Sequence, residues 1–477
     1  MNLNSNNKTR ESILAKANNL RWEVGENLHD TLMESIYENA TNIAAKAVTY
    51  PDKKPAFSFD RTLDKILTSK YLGFPIMFLM LGLVFWVTII GANIPSALIA
   101  SLLVDTLHPL LKNAADLFMP WWLSGLLIDG AYLAMAWVIS VMLPPMAVFF
   151  PIYTLLEDFG YLPRVAFNMD PLYKRVGAHG RQALTMAMGF GCNAAGVVAA
   201  RVIDSPRERL IAIITNNFSL CNGRWPTQIL IASIFIGSAA PAYLAGFVSA
   251  AAVVFIALLG ISFSLIISLA LSRTALKGEA SAFSLELPPY RPPRILQTLY
   301  TSLIDRTIFV LWRAIVFAIP AGMVIWLVAN IMIDGVSVAN HFIELVNPFA
   351  FVLGLNGVIL LAYIIAIPAN EIVIPTVLML TVANIGLTGA GGDSGVMFEL
   401  DSVSDTANIL HSGGWTLLTG INLMLFSLLH NPCSTTIYTI YKETKSIKWT
   451  VVSTLLPIVM GFAITFFVAQ IWRLLSN

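Results

Sequence analysis

Charged side chains are scarce in this sequence, and their scarcity excludes an ordinary soluble protein. Asp, Glu, Lys and Arg make up 12% of the 477 residues, against about 25% in a typical soluble domain. A folded chain of this length needs more charge than this to cover a water-exposed surface. The formal net charge is +1, so no nucleic-acid partner is predicted.

Cysteine is also scarce, which argues against a secreted protein held together by disulfides. The three cysteines, Cys192, Cys221 and Cys433, all lie inside apolar segments, and an odd number cannot pair completely. The N-terminus is polar, so we expect no secretory signal peptide. The thiols are therefore predicted to serve some purpose other than cross-linking.

Apolar residues, by contrast, are abundant and clustered. They make up 57% of the chain, and a membrane-spanning helix needs about 20 of them in a row. The candidate spans are 71–92, 126–156, 183–203, 209–237, 241–272, 309–333, 351–383, 414–440 and 449–474. The sequence thus predicts an all-α polytopic membrane protein in a lipid bilayer, with about eight to ten membrane segments.

Two of these candidate spans are interrupted by polar residues and prolines. The 209–237 stretch contains Asn217, Arg224 and Pro226, and the 351–383 stretch contains Asn370 and Glu371 between two prolines. Irregular backbone at membrane depth is tolerated only where it is buried in protein or lines a cavity. We therefore expect broken or re-entrant helices at these two places.

Charge in the loops predicts the orientation and the division of the chain. Arg and Lys accumulate in 157–182 and 273–307, which are therefore assigned to the cytoplasm. The 384–413 loop has four acidic residues, including Asp393 and Asp401, but no Lys or Arg, and is assigned to the outside. The predicted parts are a cytoplasmic amphipathic lead-in (1–68), a first membrane module (69–272), a cytoplasmic amphipathic linker (273–308) and a second membrane module (309–477).

The two modules show a weak internal duplication. Each has one polar interruption followed by an interruption in which asparagine precedes cysteine. Corresponding interruptions in two halves indicate the central site of a transporter. The candidate metal ligands at these interruptions are Cys192, Asn193, Asn217, Cys221, Asn370, Glu371, His430 and Cys433.

The chemistry of these eight residues suits a transition-metal ion. Thiolates favour Fe²⁺, Zn²⁺ and Cu⁺, whereas carboxylate and amide oxygens favour harder ions such as Mn²⁺. An ionisable residue inside a span, such as Glu371, costs at least about 2.5–3.5 kcal/mol and usually has a function. An alternative interpretation is that each cysteine is a small packing residue. The asparagines would then have no role beyond satisfying backbone groups freed by a broken helix.

Ordered motifs over residues 57 to 474 resemble a known family. They include Leu72-Gly73-Phe74-Pro75, Leu156-Glu157-Asp158-Phe159-Gly160-Tyr161, Met188-Gly189-Phe190-Gly191-Cys192-Asn193, Trp415-Thr416, Pro432-Cys433 and Glu443-Thr444. The sequence resembles the membrane domain of the FeoB ferrous iron transporters. The resemblance implies two gate-type modules, a divalent metal path, the bacterial inner membrane, a cytoplasmic N-terminus and no permanently bound cofactor.

The sequence also departs from the family pattern. FeoB proteins usually begin with a GTPase domain, and no G-x-x-x-x-G-K-[ST] phosphate loop occurs here. Either a separate G protein acts in trans or transport runs without GTP. A membrane potential supplies about 2.3 kcal/mol per charge per 100 mV, which is adequate for a divalent ion. A homo-oligomer is left open.

Four substitutions fall inside the motifs, at Asn217, Asn370, His430 and Asn431. They add nitrogen and oxygen donors or remove a lysine, so Mn²⁺ is the nearest competitor to Fe²⁺ import. An alternative is transport of a nucleoside or another small polar solute, with Trp225 stacking on a base. An intramembrane enzyme is disfavoured, because neither H-E-x-x-H nor G-x-S-x-G occurs.

Overall fold

A computed structural model describes most of the chain. The described residues are 16, 28–47, 59–69, 71–241, 243–277, 290, 294–386, 396–400 and 402–476. The chain divides into two compact units, one of residues 1–65 with 281–286 and one of residues 66–280 with 287–477. In the first unit, a helix Leu28–Ala47 forms where the spacing of apolar residues predicts one. Some residues on which the sequence predictions depend lie outside the described residues. They are Leu20 and Val24 of the lead-in, Arg291 of the linker, and Asp393 and Asp401 of the acidic loop.

Among its described residues, the second unit contains five helices that are long and apolar enough to cross a membrane. Most face outward with apolar side chains, as a bilayer requires. They are Gly73–Phe118, Trp121–Asp158, Ala245–Arg273, Ile295–Asn330 and Ile447–Ser476. Two further pairs of helices are bent by 111° (Val338–Val352 with Gly357–Ile365) and by 108° (Val403–Ser412 with Leu417–Thr444), which gives up to seven candidate spans.

The remaining helices are shorter. They are Phe59–Leu67, Tyr161–Arg175, Gln182–Gly191, Asn193–Ala199, Pro206–Thr215, Trp225–Ile231, Val373–Ile385 and Ser434–Thr444, with 3₁₀ turns at Ala200–Val202, Asn216–Phe218, Gly237–Ala239 and Asn370–Ile372. π-Helical turns occur at Ser101–Leu107, Gly125–Tyr132, Ala232–Ile236 and Ser302–Ile308. The prediction of an all-α membrane protein is confirmed, apart from one small hairpin, but the described residues give five to seven candidate spans and not the predicted eight to ten.

That hairpin consists of the antiparallel strands Met332–Ile333 and Val336–Ser337. Asp334 and Gly335 connect them, and both have positive φ values, 53° and 81°. Two consecutive residues with positive φ form the tight turn that matches the twist of two short strands.

The first membrane helix is longer than the sequence pattern predicts. The candidate span ended at residue 92, before Asn93 and Pro95, but the helix continues to Phe118 through a π-helical turn. Proline is tolerated inside membrane helices because local adjustments satisfy the freed backbone groups. The sequence signal for a helix end was therefore overridden.

Small residues allow two long helices to cross closely in this unit. A Cβ atom added to Gly322 would collide with the backbone carbonyl of Gly130 and the side chain of Ala134. Close backbone approach at small residues is a common way for membrane helices to associate. It brings Ile295–Asn330 of the second module against Trp121–Asp158 of the first.

Both predicted interruptions are present. The α-helix Pro206–Thr215 ends before the 3₁₀ turn Asn216–Phe218, and α-helix resumes only at Trp225. In the second half, Gly357–Ile365 ends before a stretch that contains Asn370 and Glu371. The four-part division of the chain stays a prediction.

Candidate functional site

Four interruptions of helices form the centre of the second unit, and we number them along the chain. Break 1 is Cys192, which separates Gln182–Gly191 from Asn193–Ala199 with φ −152° and ψ 120°. Break 3 is residues 366–369, whose last residue, Ala369, has φ −150° and ψ 114° before the Asn370–Ile372 turn. In each half, one residue in an extended conformation is thus followed by an asparagine.

The other two breaks also correspond between the halves. Break 2 is residues 219–224, between the turn Asn216–Phe218 and the helix Trp225–Ile231. Break 4 is residues 430–433, between Leu417–Leu429 and Ser434–Thr444. Breaks 2 and 4 each contain a cysteine and an asparagine.

Backbone hydrogen bonds join the breaks in pairs. The Asn222 N–H of break 2 donates to the Gly191 carbonyl beside break 1 at 3.1 Å. The Ser434 N–H that follows break 4 donates to the Ile367 carbonyl of break 3 at 2.9 Å. The internal duplication seen in the sequence is therefore also present in the backbone.

The three thiols come together at this centre. All are free, Cys221 is buried, and Cys192 and Cys433 are partly exposed. Cys192 interacts electrostatically with both Cys433 and Cys221, and Cys433 interacts with Cys221. Thiols from breaks 1, 2 and 4 thus face a common region.

Glu371 lies beside these thiols, immediately after break 3. Its carboxyl group interacts electrostatically with Cys221 and Cys433. The carboxyl group packs directly on Gly223 of break 2, where an added Cβ atom would collide with it. Glycine at position 223 therefore allows a carboxylate of the second half to approach the backbone of the first.

Asn370 and His430 extend the group with harder donors. The Asn370 amide nitrogen lies 4.0 Å from the Cys221 sulfur, and its oxygen lies 3.1 Å from His430 Nε2. His430 Nδ1 lies 2.8 Å from the Ser427 carbonyl. Both imidazole nitrogens are thus engaged, so metal ligation by His430 requires release of one contact.

Asn193 and Asn217 point to other partners. The Asn193 amide fits its surroundings when its oxygen and nitrogen exchange places. Its nitrogen then donates to the carbonyls of Gly189 and Ser219 at 3.0 and 3.3 Å. Asn217 is fully buried and donates to the Ser453 carbonyl at 2.9 Å. The Asn193 amide thus bonds carbonyls beside breaks 1 and 2, whereas the carbonyl that Asn217 bonds lies inside the continuous helix Ile447–Ser476.

Six of the eight predicted residues therefore share one region, and two serve the surrounding backbone. Within the described part of the chain, no three His, Cys, Asp or Glu side chains are close enough together to hold a metal ion in this conformation. A metal ligand set would thus need amide or backbone oxygens, or a closer approach of the breaks. Metal binding by each of the eight residues stays a prediction.

Sequence reasoning missed Arg224 as a member of the site. Its side chain is 1% exposed and reaches carbonyls of both halves. An arginine inside an apolar segment is the signal that could have identified it, because charged groups at membrane depth are expensive and usually functional.

An aromatic cleft adjoins breaks 1 and 2. It is narrow and is lined by Phe85, Phe149, Gly191, Asn222 and Trp225, among others. The Trp225 indole N–H is buried without a hydrogen-bond partner among the described residues. The cleft places aromatic faces and unused polar groups next to the thiols.

One ion pair joins the two halves away from the breaks. The Arg201 guanidinium donates to both carboxylate oxygens of Glu443, at 2.8 and 2.6 Å. Arg201 follows Asn193–Ala199 and Glu443 ends Ser434–Thr444, and these two helices pack together. Thus the helix that follows Cys192 and the helix that follows Cys433 are joined near their C-terminal ends.

Comparison with known proteins gives a consistent picture. A family model described as "Gate: Nucleoside recognition" matches residues 139–235, and one described as "Ferrous iron transport protein B C terminus" matches residues 253–305. The first match contains breaks 1 and 2.

Several curated relatives match much more of the chain. A Staphylococcus aureus (strain COL) protein named "Fe(2+) transporter FeoB" is 28% identical over 99% of this chain and 69% of its own length. The Synechocystis protein of that name is 28% identical over 87% of this chain and 63% of its own length. The Salmonella typhimurium one is 31% identical over 61% and 36%.

No solved structure matches the chain significantly. The family matches cover parts of the first module and of the predicted linker, and the Staphylococcus aureus relative aligns with almost the whole chain, including all four breaks. The chain is therefore similar, over almost its whole length, to about two thirds of a FeoB ferrous iron transporter, and it contains a Gate match and a FeoB C-terminal match.

Proposed function

We propose that this chain carries a divalent transition-metal ion, Fe²⁺ in the first place, across the bacterial inner membrane. The observation that carries the proposal is that breaks from both halves place three thiols and the Glu371 carboxyl group in one region, within electrostatic reach of one another. Thiolates with a carboxylate suit Fe²⁺ better than they suit Mg²⁺ or Ca²⁺. The relatives named as Fe(2+) transporters support the same ion.

The proposed path runs between the two halves. Ligands from the first half (Cys192, Cys221) and the second half (Glu371, Cys433) face each other, so a relative movement of the halves would open and close the site. Irregular backbone that lines a central site is how many transporters bind ions at the membrane midplane. Asn370 and His430 would join the ligands once their mutual contact is released.

We infer the orientation from loop charge, with the N-terminus in the cytoplasm. The ion then enters from the outside and is drawn inward by the membrane potential. A G protein in trans remains a proposed partner. The extra donors at Asn370 and His430 leave Mn²⁺ as a competitor to be tested, although the names of the relatives lend it no support.

Uptake by proteoliposomes that contain this chain alone tests the proposal. We expect Fe²⁺ uptake that rises with an inward-directed potential and falls in Glu371→Gln. The matched control is Glu344→Gln, which removes the same charge from an exposed position in Val338–Val352 and should transport normally.

Normal uptake by Glu371→Gln would refute the assignment of Glu371. No uptake by wild-type protein at any potential, but uptake after addition of a G protein, would show that the partner is obligatory. Stronger competition by Mn²⁺ than by Fe²⁺ would show that the added donors have changed the preferred ion.

A second candidate is a nucleoside or a similar polar solute. The aromatic cleft beside Trp225 and Asn222 and the family description "Nucleoside recognition" favour it, since aromatic faces stack on bases. The thiols argue against it, because a nucleoside site does not need them. Inhibition of Fe²⁺ uptake by nucleosides, or nucleoside uptake itself, would favour this alternative.

A further inference from the structure

Arg224 is a buried cation at the centre of the second unit. Its side chain is 1% exposed, and no carboxylate among the described residues forms an ion pair with it. A buried charge is strongly unfavourable unless other groups compensate it. The hydrogen-bond partners here are backbone carbonyls, and the Glu371 carboxyl group, which packs on Gly223, interacts electrostatically with Arg224.

Four carbonyl oxygens surround the guanidinium group. One terminal nitrogen donates to the carbonyls of Asn217 and Leu428 at 3.2 and 3.0 Å. The other donates to the carbonyls of His430 and Asn431 at 3.3 and 3.2 Å. Nε has no partner, so every hydrogen bond of this cation ends on a neutral backbone oxygen.

These oxygens come from both halves of the molecule. The Asn217 carbonyl lies in the turn before break 2, whereas the other three lie at the end of Leu417–Leu429 and in break 4. The last carbonyls of a helix lack intrahelical partners and carry the negative end of the helix dipole. The cage, which we define as the carbonyls of Asn217, Leu428, His430 and Asn431, therefore contributes a negative potential of its own, beside that of the nearby Glu371 carboxyl group.

A cage of neutral carbonyl oxygens is chemically a site for a weakly hydrated monovalent cation. Rings of backbone carbonyls replace the hydration shell of K⁺ in potassium channels. We propose that the cage is a monovalent-cation site that the guanidinium of Arg224 permanently occupies, and that it binds free K⁺ or guanidinium when this side chain is shortened.

The built-in cation has two consequences. It bridges the halves without a mobile ion, and it keeps four oxygen ligands unavailable beside the thiols, so that a metal ion at the centre meets sulfur first. The first consequence does not depend on which ion the chain transports, so the proposal stands or falls independently of Fe²⁺ uptake.

Thermal unfolding of the detergent-solubilised full chain tests the proposal. Arg224→Ala and Arg224→Gln are compared with wild-type protein in N-methylglucamine, K⁺ and guanidinium chloride at equal ionic strength and low, non-denaturing concentration. Both variants should unfold at lower temperature in N-methylglucamine. K⁺ or guanidinium should raise the midpoint saturably, by about 5 °C or more, and wild-type protein should show no such rise.

Arg164→Ala is the matched control. Arg164 is 2% exposed, donates to the Gly160 carbonyl at 2.8 Å and stacks on Tyr290 at 4.1 Å. Its removal should also lower the midpoint, but no cation should restore it, because the cage is intact. Arg224→Lys should resemble wild-type protein in its insensitivity to K⁺, since the lysine places its own ammonium group near the cage.

Each outcome decides the question. A saturable effect of K⁺ or guanidinium in the Arg224 variants alone supports the cage. Equal effects in the Arg164 variant would reveal general salt stabilisation and overturn the proposal. Flat responses in both Arg224 variants would overturn it too, as would failure to recover folded protein with K⁺ or guanidinium present throughout purification.

Discussion

Breaks 1 and 3 have nearly the same backbone but different chemistry. Cys192 and Ala369 share an extended conformation, and an asparagine follows each. Yet Asn193 donates to carbonyls of its own half, whereas Asn370 contacts Cys221 of the other half and His430. The duplicated backbone thus supplies two equivalent frames, one with a thiol at break 1 and the other with an amide that contacts an imidazole after break 3.

The largest expected effect comes from removal of the soft ligand of break 1. Cys192→Ala should lower Fe²⁺ uptake at least about tenfold, because alanine at this position leaves the break as it is at Ala369 but removes a metal-binding thiol. Uptake of ⁵⁵Fe²⁺ into proteoliposomes measures it.

Met188→Leu is the control for this comparison. It removes a buried sulfur one turn before Cys192 at nearly constant volume and should transport normally. Equal losses in both variants would mean that packing around break 1, and not the thiol, is what matters.

The two asparagines should respond differently to the same substitution. Asn193→Ala leaves the Gly189 and Ser219 carbonyls unpaired, so it should cost about 1–3 kcal/mol of stability and leave the Fe²⁺/Mn²⁺ competition ratio unchanged. Asn370→Ala should change that ratio, because it frees His430 Nε2 and removes an oxygen donor. Unfolding midpoints and competition assays, run on both variants, compare the two frames directly.

An unchanged ion preference in Asn370→Ala would mean that Asn370, like Asn193, only supports the backbone. The harder donors of the second half would then be reduced to Glu371.

Acid should destabilise the first half through His179, which lies outside the membrane segments. Burial lowers the pKa of His179, and the positive charges of Arg181 and Lys174 act in the same direction, against the opposing carboxylates of Asp170 and Glu208. The unfolded chain therefore takes up this proton first. The stability that neutral His179 contributes is complete above the ordinary histidine pKa and is lost as the pH falls through the lowered one.

A single group limits this slope to about 1.4 kcal/mol per pH unit. Unfolding measured between pH 7.5 and about 5 should be less pH-dependent in His179→Gln than in wild-type protein. An identical pH dependence would show that other groups carry the acid sensitivity.

The smallest expected effect concerns the Arg201–Glu443 pair, which joins corresponding helices of the two halves. A double-mutant cycle with Arg201→Gln and Glu443→Gln should give a coupling energy of about 0.2–1 kcal/mol, because the arginine is 61% exposed. The coupling should shrink at high salt. A coupling that is large and independent of salt would contradict the solvent-exposed geometry.

Much of the fold could be predicted from local sequence. Long apolar runs indicate membrane helices, and the asparagines and prolines near Arg224 and Glu371 indicate breaks. The extension of the first helix to Phe118 could not be predicted, because Asn93 and Pro95 give a local signal for a helix end that packing overrides. The bends of 111° and 108° were likewise beyond local patterns.

The candidate site was predicted as a set of residue types at the breaks, and this set included two asparagines whose amides face elsewhere. Sequence alone could not separate Asn370 from Asn193, since both follow an extended residue in the same motif. The difference depends on which side chains the other half places opposite them.

The sequence by itself determined that this chain lies in a bilayer, where its helices break and which ligand types stand at the breaks, because hydropathy and backbone chemistry are local properties. Only the tertiary structure decided which of those residues meet. Arg224 reaches carbonyls 204 to 207 positions later in the chain, and Glu371 packs on Gly223. Such contacts arise when two halves fold against each other, and no local pattern specifies them.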